Sequence, residues 1–285
     1  MTATLAPFRL GDVHVATLCE GWAPLPLSDE CPGQDVDWAV ERASYPWAFS
    51  GTDGWAWHVH AFLLRTPEGD VLVDTGTGTF GPWAPWAESA GSDAWAGVDP
   101  ASVRHVVLSH LHADHAGGTV RADGTPRFPN ARYHAHPADW EHFDADPVIR
   151  PDDGQRYDAR AAMHGLAADG TLSLDPDDRE VSPGVRVLHT PGHTPGHRSV
   201  LVTSGDAALL LTGDLLHTPV QAAHPDWRSS HDADPDVGCA TRVALLGRAR
   251  ELDWHVAVSH FARPFGRVAA GGWSSETEGG SPADA

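Results

Sequence analysis

Leu108-Ser109-His110-Leu111-His112-Ala113-Asp114-His115-Ala116-Gly117-Gly118 packs three imidazoles and a carboxylate into the six residues from His110 to His115. The run before it, Val103 to Leu108, is short and valine-rich, the pattern of a buried strand, and the chain then turns at small residues and glycines. Side chains two apart at a strand's end point the same way, so His110 and His112 can aim at one metal ion. Asp114 and His115, one step along the turn, are then free to serve a second ion beside it.

Three more features stand at turns after apolar runs. Thr190-Pro191-Gly192-His193-Thr194-Pro195-Gly196-His197 follows a strand ending near His189, Asp214 follows Leu209 to Leu211, and His260 follows Val256 to Ser259. Each presents a potential ligand at a strand's C-terminal end, where side chains from separate strands can converge on one crevice. The prolines and glycines fix the backbone path that would hold an imidazole still.

The rest of the chain reads as one α/β domain over residues 1–270, with 271–285 as a mobile tail. Phe8 to Leu18, Trp55 to Arg65 and Asp70 to Asp74 are strand-like, the last ending in Asp74-Thr75-Gly76. Residues 20–54 and 76–100, rich in Gly, Pro and Trp, read as loops with short helices. Ala131 to Ala135 reads as a strand, Pro137 to Phe143 as a helix start, and Ala159 to Leu166 as a short helix. Val185 to His189, Ser199 to Thr203 and Ala207 to Thr212 are further strands, and His255 to Ser259 is the last. A helix over Pro235 to Leu252 has Asp234 as its cap and Pro235 at its first position, with Val243, Leu245, Leu246 and Leu252 as apolar positions.

Composition narrows the partners. The formal net charge is −20, and all 19 basic side chains are arginines. Such a surface repels phosphate backbones and acidic membranes, so no nucleic acid and no membrane is expected, and a small molecule is the expected substrate. A homodimer is the candidate assembly. Three cysteines, Cys19, Cys31 and Cys239, cannot all pair and lack zinc-knuckle or redox spacing. Buried thiols in a reducing compartment follow, and with no signal-peptide pattern and no apolar run of about 20 residues the expected location is cytoplasmic.

Taken together, Asp74-Thr75-Gly76, the His110 to His115 motif, Thr190-Pro191-Gly192-His193, Asp214 and His260 resemble, in that order, the landmarks of the metallo-β-lactamase fold superfamily. The resemblance implies an αββα four-layer sandwich with a dinuclear site at the sheets' edges. By family role, His110, His112 and His193 hold the first ion, Asp114, His115 and His260 the second, and Asp214 bridges both. Asp74 orients a ligand histidine, which suits the need of a metal-bound imidazole for an acceptor on its other nitrogen. A donor set of five imidazoles and two carboxylates suits two divalent ions, Zn²⁺ first and Mn²⁺, Fe²⁺ or Co²⁺ also. The implied chemistry is attack on a lactone or ester carbonyl by a metal-bridging hydroxide, with Asp114 as proton carrier to the leaving group.

Within that superfamily the stretch from Thr212 to Pro235 looks most like the branch of quorum-quenching lactonases and methyl parathion hydrolase. His217 stands where the better-known acyl-homoserine lactonases place a tyrosine, so it joins Asp114 and Asp214 as a candidate catalytic group, and lactones, aryl esters and phosphotriesters are the expected substrates. The alternatives are an iron-dependent oxidoreductase, similar to persulfide dioxygenases, and a thioester hydrolase of a specialised pathway. His197 reads as structural rather than as a ligand, as do His58, His60, His134, His136 and His189. Trp83, Trp86, Trp227 and Phe261 are candidates for an apolar pocket wall.

Overall fold

The computed structural model of the chain describes residues 7–78, 86–145, 148–149, 156–157 and 159–276. Alternation of apolar residues decides its layers. In the strand Ala207–Leu211, Leu209 and Leu211 join one buried cluster while Leu210, facing the other way, joins another. That strand is therefore covered on both faces, as its unbroken apolar run requires.

Two large sheets result, each with its main strands in chain order, beside a separate antiparallel pair of Val148–Ile149 with Arg156–Tyr157. The first contains nine strands among the described residues, its path running β1 (Phe8–Leu10), β2 (Val13–Pro26), β3 (Gly54–Thr66), β4 (Gly69–Val73), β5 (Val103–Val107), β6 (Arg132–Ala135) and β7 (Leu172–Leu174). β1 to β4 pair antiparallel and β4 to β7 parallel. The second has seven: β8 (Arg179–Ser182), β9 (Val185–His189), β10 (Arg198–Ser204), β11 (Ala207–Leu211), β12 (His255–Ala257), β13 (Phe265–Ala269) and β14 (Gly272–Ser275). All its pairs are antiparallel except β11 with β12.

Between the sheets lie Val15, Phe62, Leu64, Val73 and Val107 from the first and Val187, Val200, Val202, Leu209 and Leu211 from the second. Full burial of each such side chain contributes about 1.5–3 kcal/mol. Outside the first sheet, Trp140, Phe143, Met163 and Leu166 of the helices Pro137–Ala145 and Ala159–Ala168 cover Leu63, Leu72 and Val106. Outside the second, Leu246 and Ala249 of the helix Pro235–Glu251 cover Leu210 and Val256. The order helix, sheet, sheet, helix is the αββα sandwich expected from sequence.

Several boundaries differ. The strand expected to end at Leu18 runs on to Pro26, because Ala23 finds a second apolar cluster with Trp55, Trp57 and Val59. β12 is not the last strand, and the tail does not start at Gly271. Phe265–Ala269 and Gly272–Ser275 form a hairpin whose Trp273 is buried, its N–H donating to the Tyr45 hydroxyl at 3.1 Å. Residues 277–285 of the expected tail lie outside the described residues. The Pro235–Glu251 helix has its expected cap, Asp234 accepting from Val237 N–H at 3.1 Å. Its inner face is the expected one only in part: Leu246 is buried and Leu245 packs on the same cluster, but Val243 is 45% and Leu252 52% exposed, and Gly238, Arg242 and Ala249 are buried. No described helix is long and apolar enough to cross a membrane.

Candidate metal centre

The turns after β4, β5, β9, β11 and β12 come together at one edge of the sandwich. Asp74, just past β4, takes the left-handed backbone conformation (φ +63°), which costs a non-glycine residue about 1–2 kcal/mol. That turn aims its carboxylate across to the next strand's end. Oδ1 accepts the Ser109 N–H at 2.7 Å, and Oδ2 accepts Ser109 Oγ–H at 2.9 Å and His115 Nδ1–H at 2.8 Å.

These outer bonds fix which nitrogen of each ring faces inward. Ser109 Oγ donates to Asp74 and so accepts from His110 Nδ1–H at 3.1 Å, leaving His110 Nε2 bare. His115 Nδ1–H is held by Asp74 and His260 Nδ1–H by the His58 carbonyl at 2.6 Å, so both Nε2 atoms turn inward too. The inward atoms form two clusters, His110, His112, His193 and Asp214 in one and Asp114, His115, Asp214 and His260 in the other. Within each, one donor atom per residue lies within 4.8 Å of every other. His112 Nδ1 is 2.8 Å from His110 Nε2 and 2.9 Å from His193 Nε2. Asp214 joins the clusters through both oxygens: Oδ1 is 3.1 Å from His115 Nε2, and Oδ2 is 3.4 Å from His193 Nε2 and 3.1 Å from His260 Nε2.

The electrostatics are those of a cation site. Burial, followed by neighbouring imidazoles, holds His110 well below the ordinary histidine value, and burial pushes His112 down to about 4. Their lone pairs thus converge without protons to share. Burial opposes charge on His115, yet Asp214, Asp114 and Asp74 outweigh it and hold its pKa well above normal. The same carboxylates that favour a proton there favour a metal ion. Asp214 is held well below the usual carboxylate range, His115 and His260 overcoming the effect of burial, and its Oδ1 makes no hydrogen bond. Two divalent ions fit this donor set, and an all-nitrogen-and-oxygen environment with open pocket access suits zinc.

His197 serves the protein rather than an ion. Its Nδ1–H donates to the Thr190 carbonyl at 2.9 Å, and its Nε2 accepts the Asp214 N–H at 3.0 Å. Gly213 (φ +57°) makes that approach feasible, since a Cβ there would meet His197 Nε2 at 2.7 Å.

Three supports were not legible in the motifs, whereas a fourth, Gly192, stands inside one of them. The carboxylate of Asp139, fully buried, accepts from Leu111 N–H (3.2 Å), Thr194 Oγ–H (3.0 Å) and Gly196 N–H (2.6 Å), tying the loop of His110 and His112 to that of His193. Glu20 accepts from Thr77 N–H, Thr77 Oγ–H and Trp95 Nε1–H, fixing the turn after Asp74. Arg242, buried in the Pro235–Glu251 helix, donates to the Leu215 carbonyl at 2.8 Å and to Asp232 at 2.9 Å, pinning the turn that carries Asp214. Gly192 (φ +137°) packs so closely on the same helix that a Cβ would fall 2.2 Å from Gly238 Cα. The only sequence signal for Asp139, Glu20 and Arg242 was a polar residue at a helix or strand position with no visible partner.

A pocket of about 300 Å³ opens over the clusters. His112, Asp114, His193, Asp214, His217 and His260 line it, together with the apolar Leu25, Trp55 and Trp57 and the polar Asp29 and His231. His217 Nε2 lies 3.4 Å from Asp214 Oδ2, and its buried Nδ1 makes no hydrogen bond. Of the described aromatic residues expected from sequence to wall the pocket, Trp86, Trp227 and Phe261 are not among those that line it. Trp86 stacks on Trp57, Trp227 stacks on His224, and Phe261 is buried against Trp47 and Trp273. Trp83 lies outside the described residues.

Two donor clusters sharing one carboxylate, at the strand ends of a four-layer sandwich, define the class as a dinuclear metalloprotein. The chain belongs to the metallo-beta-lactamase superfamily, whose family model matches residues 54–258. It is 30% identical over 216 residues to an N-acyl homoserine lactonase of Bacillus cereus, covering 68% of this chain and 76% of that protein. To an N-acyl homoserine lactonase of a Bacillus species it is 32% identical over 186 residues, covering 56% of this chain and 64% of the relative. Among solved structures it is similar to AidC, a dizinc quorum-quenching lactonase in complex with a product, at 25% identity and a TM-score of 0.79, with 96% of this chain and 97% of AidC covered. The hydrolase AbOPH shares the fold at 23% identity and a TM-score of 0.78, with 96% and 98% covered.

Proposed function

We propose that this chain is a dinuclear metal-dependent hydrolase acting on the carbonyl of a lactone or related ester. The observation that carries the reading is Asp214, a member of both donor clusters in an open pocket, with Oδ1 beside His115 and Oδ2 reaching His193 of one cluster and His260 of the other. His110, His112 and His193 would hold one ion, Asp114, His115 and His260 the other, and Asp214 both. Two such ions, when bound, supply a water acidic enough to be deprotonated near pH 7 and a Lewis acid for the carbonyl oxygen.

The chain's own groups do the rest. Asp114 lines the pocket, where its carboxylate can carry a proton to the leaving alkoxide. His217 lines the same pocket with its Nε2 3.4 Å from Asp214 Oδ2, so its ring can offer a hydrogen bond to a substrate oxygen there. Leu25, Trp55 and Trp57 offer apolar surface for the part of the substrate that does not react. The N-acyl homoserine lactonases among its relatives, and the dizinc lactonase with its bound product, support lactones as the first substrates to assay. Three unpaired cysteines support a reducing compartment for the protein.

The test is turnover of γ- and δ-lactones, aryl esters, a thioester and a phosphotriester by metal-loaded protein before and after chelation. Lactone or ester hydrolysis that chelation abolishes and zinc restores is the expected result. Iron near one equivalent with oxygen uptake and no hydrolysis would replace the reading with an oxidoreductase.

A further inference from the structure

Cys19 and His60 face each other across the β2–β3 pairing, and His58 lies two residues from His60 on the same strand face. The three side chains continue the inner, inter-sheet face set by Phe62 and Leu64 farther along β3. One donor atom from each lies within 4.8 Å of the other two, and Cys19 Sγ is 3.8 Å from His58 Nδ1.

The protonation pattern makes this more than a packed trio. His60, 2% exposed, uses Nε2–H to donate to the Phe261 carbonyl at 2.8 Å. Its Nδ1 then carries a lone pair, is buried, and makes no hydrogen bond. An unpaired buried acceptor normally finds a donor or water, and here the neighbours are a thiol and a second imidazole. Cys19 and His58 are each half-buried, so an ion has a way in.

We infer that Cys19, His58 and His60 form a third metal site, separate from the dinuclear centre and selective for a borderline-soft cation such as Zn²⁺. One thiolate and two imidazoles leave a position for water in a tetrahedral shell. The Cys19 thiol, pushed up to about 11 by burial, gives its proton to solvent as the ion binds. The site touches the dinuclear centre only through backbone, the His58 carbonyl accepting the Nδ1–H of His260 at 2.6 Å, a bond that does not involve the Cys19 side chain. This inference does not depend on what the dinuclear centre hydrolyses.

Cobalt substitution of the intact protein tests it, since neither cluster of the dinuclear centre contains a thiolate. A thiolate-to-cobalt charge-transfer band in the near ultraviolet, with a third equivalent of metal per chain, is expected. Cys19→Ala should abolish the band and the third equivalent while lactone turnover stays unchanged. Should that variant fail to fold, the Cys31→Ala, Cys239→Ala double variant must keep the band. No thiolate band in the wild type, a band that survives Cys19→Ala, or a band lost in the double variant would overturn the site.

Discussion

Asp74 Oδ2 accepts the Nδ1–H of His115 at 2.8 Å, so the opposite nitrogen of that ring is delivered to the space between Asp114 and Asp214. The bond sets the tautomer as well as the direction. Asp74→Ala should therefore weaken metal binding about 10–100-fold without removing a ligand. Dialysis against graded chelator followed by elemental analysis measures this, and unchanged retention would mean that the ring is oriented by something else.

Asp139 ties two ligand loops together through two backbone N–H groups and a hydroxyl, all buried. Asp139→Ala leaves those donors without acceptors, and the loss of stability should be about 3 kcal/mol, with a lower affinity for the ion of the His110, His112 and His193 cluster. Urea unfolding and metal titration read the two effects separately. A variant as stable as the wild type would show that the loops hold their own geometry.

His193 and His197 lie in one turn yet differ in task. His193→Ala should lose metal, whereas His197→Ala should keep both equivalents and lose stability, because the Asp214 N–H and the Thr190 carbonyl lose their partner. Loss of a full equivalent from His197→Ala would place that ring among the ligands.

Acid sensitivity has a source away from the metal centre. Burial, followed by the neighbouring His105, pushes His134 down to about 3, and the rings touch at 3.1 Å between Nδ1 and Nε2. A histidine with a depressed native pKa stabilises the fold above its unfolded value of about 6.5, and that contribution is lost as pH falls toward the native value. Between pH 6.5 and 5 the loss from this group should be as much as about 2 kcal/mol. Urea midpoints at pH 7.5 and 5 should therefore fall further for the wild type than for His134→Gln, and equal falls would acquit the residue.

The metal-centre residues were legible because ligands at strand ends leave a local signature: an apolar run, then histidines and aspartates at fixed steps, with glycine where the backbone must turn. The layers were expected only through the family resemblance those motifs carry, since β11 itself is an unbroken apolar run. What escaped depends on partners distant in sequence. Nothing near Asp139 says that Leu111 and Gly196 will donate to it, and nothing near Arg242 says that a guanidinium will be buried on a helix whose Val243 is exposed. The pocket wall escaped for the same reason. Twelve tryptophans compete for it, and only the extension of β2 to Pro26 brings Leu25 beside Trp55 and Trp57.

Asp214 is proposed to join two metal ions into one hydrolytic centre. Elemental analysis and lactone turnover of Asp214→Ala, beside the wild type, test it most directly. About two zinc ions per chain are expected at the dinuclear centre of the wild type, with both occupancy and turnover collapsing together in the variant. Full metal content with undiminished hydrolysis in Asp214→Ala would contradict it.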